Sequence, residues 1–220
     1  MLLKLYYLIQ REMLLAYRKP SIFVNPILFN IINISLFPFA FGPSFYLNNN
    51  VFPGLIIISM MFALSISNNI LFEEDVEDGT LEQLLISSIS PASIILAKLI
   101  SYWVISALPT ILILPFLGIF YSIAANLIIG TIIVISISSF AISIIMVFSS
   151  LLTYKLKRNI ILTSLISFPF SITIIIFSTS AINNIGAGLI NDAINQLSII
   201  ISFILIFLPI ILLIAPLAIL

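Results

Sequence analysis

The residues best suited to chemistry lie in one stretch, LFEEDVEDGTLEQLL at positions 71–85, which holds six of the chain's eight acidic side chains. Carboxylates at this density could bind a divalent cation, act as acid and base, or dock a partner. The run lacks the alternating oxygen ligands of an EF-hand loop. The chain has no Cys and no His, which removes Cys/His zinc sites, histidine proton relays and the usual His or Cys ligands of haem iron. It contains no G-x-x-x-x-G-K-[ST] phosphate loop, no serine nucleophile elbow and no HExxH. Docking of a cytoplasmic partner is the sharper reading that remains, with an acidic rim that includes Glu82 around apolar leucine anchors. The plainer alternative is that the acids merely keep a loop solvated.

The local elements fit a built segment. Asp78-Gly79 is a turn signal. Thr80 followed by Gln83 has the form of a capping box, so the spacing predicts a short helix from about Leu81 with Leu81, Leu84 and Leu85 on one face. Ser90-Pro91 supplies an N-cap and a first-turn proline for the apolar stretch that follows.

The rest of the chain dictates where this segment sits. Hydrophobic residues make up 62% of the 220 residues and charged residues only 7%, against about 25% charged in soluble domains. This is an integral membrane protein of all-α class, because a chain crossing hydrocarbon must satisfy its own backbone hydrogen bonds. Six apolar stretches are predicted as spans, at about 22–42, 51–72, 95–119, 126–152, 160–182 and 197–218, within one membrane domain. Lys98 near the start of the third is the only charge inside them. Ion-coupled transporters and voltage sensors need intramembrane charge, so neither class fits. Prolines at 38, 109, 115, 169 and 209 permit kinks. Zero net charge argues against a nucleic-acid partner, since such binders carry a basic stripe.

Residues 1–19 do not read as a signal peptide, since charges interrupt any apolar core. Lys4, Arg11 and Arg18 recur every seven residues, which predicts an amphipathic interfacial helix with its basic stripe toward the lipid headgroups. Pro20 and Asn25-Pro26 are expected to break it from the first span. All eight Lys and Arg fall on one side of a six-span topology, which places them, both termini and the 73–94 loop in the cytoplasm.

Several residues together resemble the CcmB family: Asn25-Pro26, Leu36-Phe37-Pro38, Gly42-Pro43, the run from Glu77 to Leu84, Leu96-Ala97-Lys98, Trp103 and Leu108-Pro109. The resemblance runs through essentially the whole chain. It implies an ABC exporter-type permease subunit with six spans, working with a separate CcmA-like ATPase, CcmC- and CcmD-like membrane subunits and, indirectly, a CcmE-like haem chaperone. It implies haem as the substrate transported or delivered in c-type cytochrome biogenesis, no cofactor held by this chain, and a bacterial inner membrane (the mitochondrial one for an organelle-encoded chain). Two ATP sites in such a machine imply two membrane halves, and a homodimer is one way to supply them. It also implies that Asp78, Gly79, Thr80, Leu81, Glu82, Gln83 and Leu84 form the ATPase-coupling loop. There Asp78 and Glu82 orient the contact, Leu81 and Leu84 anchor it, and Gly79 sets the turn. The chain departs from the family at Tyr102, where many relatives have His, and at Asn159, where they have Gly. A permease for a lipid, polysaccharide or drug, and an ATP-driven assembly scaffold without transport, stay open as alternatives.

Overall fold

The structure, a computed structural model, describes residues 2–41, 51–68, 72, 75, 78–86, 89–121, 125–153 and 160–219. Lys155, Lys157, Arg158, Asn159 and the side chains of Leu81, Glu82 and Leu85 lie outside the described residues. Among those described, all regular structure is helical. In chain order the helices are α1 (Leu2–Arg18), α2 (Ser21–Phe41), α3 (Phe52–Ser67), α4 (Thr80–Ile86), α5 (Pro91–Ser106), α6 (Leu108–Phe120), α7 (Ala125–Thr153), α8 (Ile160–Gly186) and α9 (Ile190–Ile219).

Among the described residues, four helical stretches are long and apolar enough to cross a membrane: Pro91–Gly118, Leu127–Thr153, Leu162–Gly186 and Ile190–Pro216. The chain is a multi-pass membrane protein. Length alone does not reach the expected six spans. Helix α3 has 16 residues, about 24 Å at 1.5 Å per residue, against roughly 30 Å of hydrocarbon. Helices α1 and α2 form a pair bent by 72°. The break falls at Lys19-Pro20, and α2 runs on through Pro26. The expected break at Asn25-Pro26 is therefore absent. Near the start of α2 the proline removes only one helical bond, the one to the Ile22 carbonyl, and the helix runs on past it.

The third expected span starts at Pro91 rather than 95. Ser90 caps it, its hydroxyl accepting from the Ser93 amide at 3.3 Å. A turn at Ala107 separates α5 from α6, next to Pro109, which cannot donate to the carbonyl one turn back. Proline does not break every helix: α8 continues through Pro169 and α9 through Pro209 and Pro216.

Helix α7 is the axis of the bundle, packed against α3, α5, α6, α8 and α9. Its inward positions alternate bulk with hydroxyls: Ile135, Ile142 and Ile145 with Ser138, Ser143 and Ser149, all buried. Each serine donates to the carbonyl four residues back, at 2.6–2.9 Å. A small side chain whose polar group is satisfied locally lets neighbouring helices approach without an orphan donor. Ser138 and Ser178 hydroxyls then meet across α7 and α8 at 2.6 Å. Trp103 Nε1 donates to Ser139 Oγ at 3.0 Å, tying α5 to α7. The outward residues of α9, among them Leu205, Ile206 and Leu213, are exposed, as lipid contact requires.

Candidate functional site

Helix α1 lies on α5. Leu8 packs with Ile94 and Ala97, and Leu84 of α4 joins this small cluster. One apolar patch thus ties the N-terminal helix, the short helix after the acidic run and the start of a membrane-crossing stretch. Gly79 turns the chain into α4 with φ of 68°, the left-handed conformation that glycine adopts most easily. The helix begins at Thr80, one residue before the expected start.

The capping box does not form. The Thr80 hydroxyl donates to Asp75 Oδ1 at 2.7 Å and to its carbonyl at 3.3 Å, while the Gln83 amide donates to the Gly79 carbonyl at 3.4 Å. The helix starts one residue early, so the Gln83 amide goes to the Gly79 carbonyl in the ordinary helical pattern, and the Thr80 hydroxyl gives its proton to the Asp75 carboxylate, a strong acceptor.

Asp75 is the hub. It is 7% exposed, and Lys98, which donates to its Oδ2, is 2% exposed. Arg11 Nη2 donates to Oδ1 at 2.7 Å, and Arg11 Nη1 donates to Glu12 Oε1 at 2.7 Å. Glu12 Oε1 lies 3.6 Å from Lys98 Nζ, which closes the ring of charges. Lys98 Nζ also sits 5.4 Å from the Phe72 ring centroid, within cation–π range. Two cations and two anions therefore balance in a partly buried quartet drawn from α1, the acidic run and α5. Buried charges persist when paired and hydrogen-bonded in this way.

This placement corrects the expected role of two basic residues. Arg11 is not directed only to headgroups, and Lys98 has a structural role besides the one expected of it in topology, because both hold Asp75. Lys4 and Arg18 of the same stripe remain exposed. Tyr102 is also committed: buried, it donates to the Leu64 carbonyl.

Burial pushes the Asp75 carboxyl up, but the Lys98 charge and the hydrogen bonds from Arg11, Lys98 and Thr80 outweigh it and hold it below the usual carboxylate range. For Arg11, burial lowers the guanidinium, and the bond and charge of Asp75 and Glu12 more than reverse that. The depressed Asp75 contributes stability above its unfolded pKa of about 4, and that stability is lost as pH falls through the folded value. The raised Arg11 contributes at every pH below its unfolded value, which covers the whole physiological range. Thermal unfolding in detergent should therefore show a flat contribution from this site at neutral pH and a falling midpoint below about pH 4. A midpoint that titrates near pH 7 would contradict the pairing.

Among the expected coupling residues, Asp78 and Gln83 edge this assembly with exposed side chains, and Ile86, just beyond them, is 87% exposed. Leu84 is half-buried against α1 and α5. Among the described residues of α4 and its turn, Asp78, Gln83 and Ile86 are exposed while Leu84 faces the bundle. The quartet itself can anchor but not catalyse, since both carboxylates are neutralised by cations that a metal ion would have to displace.

The family model described as "CcmB protein" matches residues 3–219. The chain belongs to the CcmB family. Heme exporter protein B of Pseudomonas aeruginosa is 31% identical over 182 residues, covering 83% of this chain and 82% of its own. The Haemophilus influenzae protein of that name is 30% identical over 179 residues, covering 81% of each. The Escherichia coli K12 protein, also so named, is 32% identical over 101 residues, 46% of each chain. In this CcmB-family chain, sequence reasoning selected residues 78–84 and missed Arg11, Glu12, Asp75 and Lys98. One signal was available: a lone lysine inside an apolar stretch must find a counter-ion, and acids close in sequence precede it.

Proposed function

We propose that the chain is the permease subunit of an ABC-type haem exporter that serves c-type cytochrome biogenesis. One observation carries this: the family match from residue 3 to 219, with relatives named heme exporter protein B over more than four fifths of both chains. The missing phosphate loop supports a non-catalytic subunit that draws on ATP hydrolysed by a separate CcmA-like partner. CcmC- and CcmD-like subunits complete the complex, and a CcmE-like chaperone receives haem outside it. Helices α2 and α3 act as the first two of six crossings, α2 with 21 residues being long enough. Both termini and the 73–94 loop face the cytoplasm of a bacterial inner membrane.

Helix α4 is the coupling element. The ATPase meets the exposed edge at Asp78, Gln83 and Ile86, with Glu82 in the same acidic rim. The quartet carries the push to α1 and α5. Glu82→Lys reverses one charge of that rim, so it should weaken co-purification of the ATPase subunit while membrane insertion stays intact. Unchanged co-purification with normal insertion would remove the docking role of the rim.

A further inference from the structure

The crossing that runs from α5 into α6 is interrupted inside the bundle. Two helical bonds bracket the turn at Ala107: its amide donates to the Trp103 carbonyl at 2.9 Å, and the Ile111 amide donates to the Ala107 carbonyl at 3.0 Å. Pro109 has no N–H to give the Ile105 carbonyl. Before the turn, α5 is tied to the core. Tyr102 donates to the Leu64 carbonyl of α3, and Trp103 Nε1 donates to Ser139 Oγ of α7 at 3.0 Å. Beyond the turn, α6 is tied to α2 at two levels. Asn30 Nδ2 donates to Thr110 Oγ1 at 3.1 Å, and Tyr121, just past α6, donates its hydroxyl to the Ile34 carbonyl at 2.6 Å. Helix α2 starts at a break of its own, the 72° bend at Lys19-Pro20. The two breaks touch, since Ile22 packs with Ile105 and Ala16.

We propose that α2 and α6 form one panel that swings on these paired breaks, at Lys19-Pro20 and Ala107–Pro109, while α3, α5 and α7 hold their places. Three buried polar atoms beside the breaks argue for a second arrangement. Asn30 Oδ1 and the hydroxyls of Ser101 and Ser106 have no hydrogen-bond partner among the described residues, and all three side chains are at most 2% exposed. Buried polar groups cost free energy unless paired. The hydroxyls are donors and the amide oxygen is an acceptor, so turning the panel on α5 can match them. A cavity of about 30 Å³ against Ile22, Ile105, Ser101 and Ser106 leaves room at the pivot. In the structure the panel is latched. Asn33 Nδ2 of α2 donates to Ser59 Oγ of α3 at 2.6 Å, and the Tyr121 ring meets Phe52 of α3 with centroids 5.0 Å apart. Phe29 of α2 against Phe62 of α3 is an apolar contact that can slide. The two arrangements make different hydrogen bonds, which is the difference a partner can bias. The inference rests on α2 being a crossing and on no property of haem.

The chain has no Cys, so nitroxide labels can be placed cleanly at Phe116→Cys on α6 and Leu205→Cys on α9, both exposed positions. Pulsed dipolar spectroscopy of the full-length chain in lipid nanodiscs then reads the distance between panel and bundle. Two populations are expected, the latched one dominant. Asn33→Leu should raise the minor population roughly fivefold, the effect of one net hydrogen bond. Pro109→Ala, which returns the helical donor, should leave a single population, and Ser101→Ala/Ser106→Ala should deplete the minor one. A single distance in both the wild type and Asn33→Leu would overturn the panel. Two populations that persist unchanged in Pro109→Ala would overturn the pivot, and a minor population untouched by the serine variant would overturn the pairing. The labels report independently of export: normal covalent haem in depleted cells would remove the export reading and leave these distances as they are.

Discussion

Asp75→Ala should destabilise the chain by about 3–5 kcal/mol, the cost typical of removing one partner from a buried ion pair. Lys98, only 2% exposed, would retain Glu12 at 3.6 Å as the nearest carboxylate of the quartet. Arg11 and Thr80 would each lose an acceptor at 2.7 Å. The loss is large because the lysine ammonium cannot regain its hydration without opening the contact between α1 and α5. Unfolding of the purified chain in detergent, followed by circular dichroism, measures it. A loss below about 1 kcal/mol, the range of exposed pairs, would mean that water already reaches the site.

Removing both partners should do the opposite. Asp75→Leu/Lys98→Leu replaces the buried pair by apolar groups, an exchange that is often neutral or stabilising. Arg11 and Glu12 keep each other at 2.7 Å. The double variant is therefore expected to unfold within about 1 kcal/mol of the wild type. Export activity should nevertheless be lost. Helix α4 would then be held to α1 and α5 mainly through Leu84 and its apolar neighbours, a contact that can slide where a charge-assisted hydrogen bond fixes direction. Comparing unfolding with c-type cytochrome content in cells carrying the double variant separates the two effects. Full activity in a stable double variant would reduce the quartet to a packing device.

What could be read from the residues alone follows a physical division. Local rules acted where no tertiary partner competed: Ser90-Pro91 caps α5, Gly79 takes positive φ, and the seven-residue basic stripe marks α1 as amphipathic. Hydrocarbon made the helical class legible from composition, because in lipid the backbone has no alternative. Where a stronger distant partner existed, local rules failed. Thr80 should accept from the Gln83 amide by spacing, but that amide goes to the Gly79 carbonyl while the Thr80 hydroxyl donates to Asp75. Arg11 belongs to a stripe by period but turns to a residue 64 positions away. No periodicity reports such a pairing. The proline signals show the same limit, since Pro26 lies inside α2 where the expected break did not occur. A proline removes one helical hydrogen bond, and whether the helix ends there depends on the packing around it, which sequence does not report.

If this CcmB-family chain serves haem export for c-type cytochromes, haem staining of membrane proteins from cells depleted of it should show loss of covalently bound haem from c-type cytochromes with haem b intact, and recovery when expression is restored. Normal covalent haem in fully depleted cells would contradict it.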